Sequence, residues 1–96
     1  MRHRAIDALV ELSRRCLPVR AVWLFGSRAR QDHTPESDID IAIRLERACP
    51  EQWARFVAEA VETAPTLLNI DLVDIDSCDA DLRKSILREG VMLYGS

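Results

Sequence analysis

Asp38 and Asp40 stand two residues apart in the stretch 24–43, LFGSRARQDHTPESDIDIAI. In an extended segment residues two apart face the same way, so the carboxylates sit side by side with roughly 6–7 Å between their Cα atoms. Ile39, Ile41 and Ile43 then face the opposite side. Adjacent carboxylates repel unless a cation, a proton or solvent relieves them, and a divalent metal is the evident candidate.

A third acid comes from residues 67–75, LLNIDLVDI. Alternation sends Ile70 and Leu72 to a helix-covered face and leaves Asp71, with Val73 and Ile75, on an open one, whereas Asp74 shares the side of Leu72. If this segment neighbours the Asp38/Asp40 strand, Asp71 lies about 5 Å from one of those acids, a repulsion of about 3 kcal/mol at an effective dielectric of about 20. Such a trio is poorly explained by stability and suits Mg²⁺, which takes oxygen ligands and is usually shared between a few carboxylates and substrate phosphates. Gly26-Ser27 adds a second part. A glycine between a strand and a helical turn lets backbone approach a bulky anion, the N–H groups of the turn can bind phosphate, and Arg28 and Arg30 would add positive charge there. Acids beside a phosphate cradle are the minimum equipment for phosphoryl or nucleotidyl transfer.

These residues need a scaffold, and the chain supplies one in alternation. From Arg4 to Leu17 apolar residues fall near helical spacing until Pro18 stops them. Residues 21–25, AVWLF, read as a buried strand that turns at Gly26. Thr34-Pro35-Glu36-Ser37 is a turn before a strand carrying Asp38 and Asp40. Pro50 opens a second long helix to about Thr63, with Trp53, Phe56, Val57, Ala60, Val61 and Ala64 as its apolar stripe. A strand over 67–75 follows, then a helix capped by Ser77 or Asp79 with Leu82, Ile86 and Leu87 inward, and a short strand over 91–94. The order predicts an α/β fold in which a short mixed sheet carries helices mainly on one face and leaves the other for chemistry.

At 96 residues and a net charge of −3 the chain reads as a single domain, 1–96, with no basic face suited to long nucleic acid. Cys16, Cys49 and Cys78 show no metal-ligand spacing and read as reduced thiols. Charges interrupt the first fifteen residues and no apolar run reaches spanning length, so a cytoplasmic protein without a membrane partner is expected. The run Asp74, Asp76, Asp79, Asp81 fails the calcium-loop register, because Asp79 takes the glycine position and Ser85 that of the last glutamate.

Gly26-Ser27, ten intervening residues, Asp38-Ile39-Asp40 and a later Asp71 together resemble the DNA polymerase β-type nucleotidyltransferases. The pattern is most similar to their minimal form, the MNT proteins paired with a HEPN-domain protein, and extends over essentially the whole chain, including IDLVDI and SILREGVMLYG. The resemblance implies a polymerase β-type nucleotidyltransferase core with two Mg²⁺ ions and ATP as substrate. Asp38 and Asp40 would be metal ligands, Asp71 a ligand and base, and Gly26 and Ser27 the holders of the triphosphate. It further implies transfer of AMP to a hydroxyl, in the paired systems a tyrosine of a HEPN toxin, which would make this chain an antitoxin. A homo- or hetero-oligomer is compatible with that role. Gln31 departs from the pattern, standing where many relatives have glycine.

Plainer readings compete. Strand acids facing solvent beside a turn glycine would explain each residue singly, although acids are disfavoured in strands and here three converge. Arg28 and Arg30 read as partly solvated helix residues, His33 as a solvated loop histidine, His3 as incidental, and Trp23 and the Trp53 stripe as core. The alternative function is a non-catalytic nucleotide-binding module that neutralises a HEPN partner by complex formation.

Overall fold

The computed structural model describes residues 3–95, whose elements run α1 (Arg4–Cys16), β1 (Val19–Phe25), α2 (Ser27–Arg30), β2 (Ile39–Leu45), α3 (Pro50–Thr63), β3 (Ile70–Asp74), α4 (Ala80–Glu89) and β4 (Val91–Gly95). The four strands form one mixed sheet in the order β3-β2-β1-β4. β1 pairs antiparallel with β2 and β4, and β2 pairs parallel with β3. A parallel pair cannot be closed by a tight turn, and α3 is the crossover that joins β2 to β3.

Helix ends follow from local chemistry. His3 Nδ1 accepts the Ile6 N–H at 3.4 Å ahead of α1, Pro50 occupies the first turn of α3, and Asp79 Oδ1 accepts the Leu82 N–H at 3.0 Å ahead of α4. Each satisfies or removes a donor that a helix start leaves without a partner.

Two apolar layers sandwich the sheet. α1 and α3 cover one face, where Leu9, Ile39, Ile41, Ile43, Phe56 and Ala60 are buried together. α4 lies on the other, with Ile86 against Ala21, Trp23, Ala42 and Ile75, and with Val73 and Leu82 alongside. The second face is therefore only partly open, contrary to the expectation that it is left wholly for chemistry. Ala21 and Ala42 have side chains short enough to let a helix close over them, and a site remains only where β2 and β3 begin.

Other expectations are corrected by exposure. Val61 and Leu87 are 66% and 48% exposed, so neither belongs to the inward stripe of its helix. Leu67 is wholly exposed, because residues 64–68 are a turn in which Thr66 Oγ1 accepts the Leu68 N–H at 3.1 Å, and the strand starts only at Ile70. Asp38 lies just before β2 rather than within it. Asp74 behaves as expected of a strand-end acid, accepting from the Asp76 N–H and Ser77 Oγ at 3.1 and 3.2 Å. Cys16, Cys49 and Cys78 are free thiols. Among the described residues no helix is long and apolar enough to cross a membrane.

Candidate active site

The register of β2 against β3 sets Asp40 directly beside Asp71 in a parallel pair, with strands about 4.8 Å apart. Alternation puts both on the α4 side of the sheet, outside the apolar cluster packed around Ile86, because Ile39, Ile41 and Ile43 are committed to the opposite core. Asp38 precedes them on the same chain. Asp38 and Asp71 are exposed and Asp40 is half-buried. The Asp40 carboxyl is pushed above its ordinary value, first by burial and then by the negative charges of Asp71 and Asp38, with Arg30 and Arg28 pulling the other way. The three acids thus meet electrostatically at Asp40.

Gly26 closes the site from β1. Phe25 pairs with Asp40 across the antiparallel ladder, so the next residue turns directly over that carboxylate. Gly26 has φ 72° and ψ −153°, and a Cβ added there would overlap Asp40 Oδ2. Two demands, a left-handed φ and an absent side chain, make glycine the residue that fits. Its carbonyl accepts from the Ala29 and Arg30 N–H groups at 3.2 Å, which starts the single turn of α2 at Ser27. The leading N–H groups of such a turn have no partner within the helix and suit an anion. Gln31 ends the turn at φ 62°, the left-handed geometry that explains why a glycine is at home there.

Arg28 departs from the solvated reading. It is buried, and its guanidinium donates from Nε to Asp38 O at 3.2 Å and from Nη2 to Ser37 O and Pro35 O at 3.0 and 3.4 Å. Arg30 stays at the surface, paired with Asp32 at 3.2 Å. His33 is exposed, and His3, rather than incidental, caps α1. His3 is held below its ordinary pKa, chiefly by burial and next by the Arg28 charge. The burial of Arg28 had no signature in the sequence, since its partners are backbone carbonyls, which every residue carries.

The donor set at the acids is all carboxylate oxygen, the chemistry Mg²⁺ prefers. Among the described residues, no three His, Cys, Asp or Glu side chains are gathered closely enough to hold a metal ion. The residues therefore fit the ion in donor type and in converging charge, without a finished ligand shell.

A sequence profile described as polymerase beta nucleotidyltransferase matches residues 8–96. The chain belongs to this family. Among proteins similar to this chain is the protein adenylyltransferase MntA of Shewanella oneidensis, 27% identical over 95 residues, which cover 94% of this chain and 65% of the relative. The chain therefore spans slightly less than two thirds of that relative's length. A crystal structure of a toxin–antitoxin with AMP-PNP superposes with a TM-score of 0.72 at 26% identity, covering 94% of this chain and 73% of the other. A structure of a tri-AMPylated Shewanella oneidensis HEPN toxin in complex with MNT antitoxin gives a TM-score of 0.73 at 22% identity over 96% of this chain and 71% of the other, a likeness that speaks to the fold alone.

Proposed function

We propose that this nucleotidyltransferase moves AMP from ATP to a hydroxyl, and that the hydroxyl is a tyrosine of a partner HEPN protein whose toxicity the modification removes. The observation that supports the reading is that Asp40 lies against the Gly26 turn with Asp71 as its neighbour on β3 and the negative charge of Asp38 acting on it. This would set acids beside a turn whose free N–H groups suit a phosphate. The solved relative holding AMP-PNP and the relative named as a protein adenylyltransferase support the choice of an adenine nucleotide and a protein acceptor.

In this reading Gly26 and Ser27 receive the triphosphate on backbone N–H groups, with Arg30 adding charge at the rim. Asp38 and Asp40, completed by Asp71, would hold Mg²⁺, which when bound supplies positive charge to the phosphate oxygens. Asp71, exposed and facing out, accepts the proton of the incoming hydroxyl. The acceptor oxygen forms a bond to the α-phosphorus, the bond to the β-phosphate oxygen breaks, and pyrophosphate leaves with that electron pair.

Incubation of the chain with Mg²⁺, ATP and its HEPN partner should add AMP to the partner, read by intact mass. Asp71→Asn should remove the transfer and leave the circular dichroism and melting profile of the fold intact, and retained transfer would refute the role given to Asp71. The second reading, complex formation without turnover, is favoured by the open spacing of the acids. It would be established by a partner that is inhibited yet unchanged in mass.

A further inference from the structure

Arg28 is the only charged side chain classed as buried among the described residues. Burying a guanidinium is costly unless its donors are satisfied, so its position calls for a compensating role. Its three hydrogen bonds all go to one short segment, to the carbonyls of Pro35, Ser37 and Asp38. That segment is a turn in which Ser37 Oγ accepts the Thr34 N–H at 2.9 Å and the Ser37 N–H donates to Thr34 O at 3.1 Å. Residues 34–37 are otherwise largely exposed and outside the ladder, which begins at Ile39. Without Arg28 little would hold the Asp38 backbone on the α2 side.

We infer that Arg28 is a positioning residue that ties the nucleotide turn to the acid strand through the Asp38 carbonyl, making α2 and the Asp38/Asp40 pair one rigid unit. The inference rests on the proposed role of Asp38 and Asp40 as metal ligands. Arg28 acts here through the backbone that its guanidinium holds. Its planar fork reaches three carbonyls at once, which a lysine ammonium on a flexible stem does not reproduce. Groups that orient metal ligands from behind typically change metal affinity by about 10- to 100-fold when removed.

Arg83 provides an internal control. It clamps the turn after β3 in the same manner, donating to the carbonyls of Ile75, Asp76 and Cys78 at 2.8, 3.3 and 3.4 Å, at the far end of that strand from Asp71. The test compares Arg28→Lys, Arg28→Met and Arg83→Met by amide hydrogen exchange over residues 34–39 and by Mn²⁺ binding, read from water-proton relaxation. Both Arg28 variants should exchange faster over 34–39 and bind Mn²⁺ about 10- to 100-fold more weakly, while Arg83→Met keeps wild-type values in both. Wild-type behaviour of Arg28→Lys would show that charge alone suffices and overturn the tie. Equal losses in Arg83→Met would overturn it as well, by tracing the effect to general destabilisation. If the wild-type chain binds no Mn²⁺ that Asp40→Asn abolishes, the metal reading fails, and exchange over 34–39 alone then judges whether Arg28 holds the segment.

Discussion

Asp40 bears the electrostatic strain of the site. Its carboxyl is held above the ordinary value of 3.8, by burial before all else and then by Asp71 and Asp38. The folded chain therefore holds that proton more tightly than the unfolded chain does. Stability falls as pH rises from the unfolded value through the raised folded one, and the penalty is fully present above both. In metal-free buffer Asp40→Asn should melt at a higher temperature than wild type at neutral pH, with the gap closing as pH falls through the raised folded value and gone below about 4. Thermal denaturation across pH checks this, and a gap that stays constant with pH would show that packing and not charge sets it. The same residues show what the sequence could reveal. The facing of Asp40 and the turn at Gly26 were legible because alternation and turn chemistry act over a few neighbouring positions. Arg28 was not, because its role depends on carbonyls seven to ten residues away.

At the scale of elements, a helical period identifies a buried stripe but not its width. The α3 stripe was correctly centred on Phe56 and Ala60, both fully buried, yet it extends no further round the helix than Trp53 and Val57. Val61 falls outside it, on the side of α3 turned to solvent. Phe56→Ala should lose about 3–5 kcal/mol in chemical denaturation, whereas Val61→Ser should stay within about 0.5 kcal/mol of wild type. Similar costs at both positions would show that α3 is rotated from the orientation described. The side chosen by α4 was equally hidden. Leu82 and Ile86 announce an apolar face, but which side of the sheet receives it depends on Ala21 and Ala42 leaving room there, a property of residues distant in the chain. Strand order and register were beyond the sequence for a similar reason: β4 pairs with β1, a strand from the other end of the chain, so neither partner nor register shows locally.

Across the whole molecule the candidate site is assembled from segments that have no contact until the chain folds. Gly26 comes from the end of β1, Asp38 and Asp40 from the start of β2, and Asp71 from β3 beyond the α3 crossover. A ligand that engages all of them binds the folded state and not the unfolded one, so its binding energy adds to the stability of the entire sheet. At a hundredfold excess over Kd the gain is about 2.7 kcal/mol, and for a chain of this size each kcal/mol moves Tm by about 4–8 °C. Mg²⁺ with a non-hydrolysable ATP analogue at that excess should therefore raise Tm by roughly 10–20 °C. The analogue with EDTA should achieve less, since the acids would then repel the phosphates they are proposed to hold through the ion. Asp40→Asn should lose the Mg²⁺-dependent part of the shift while keeping the part due to nucleotide on the Gly26 turn. Calorimetric melting of both proteins with and without Mg²⁺ separates these contributions. An Mg²⁺-dependent shift that survives Asp40→Asn would place the ion elsewhere and separate the acids from the nucleotide.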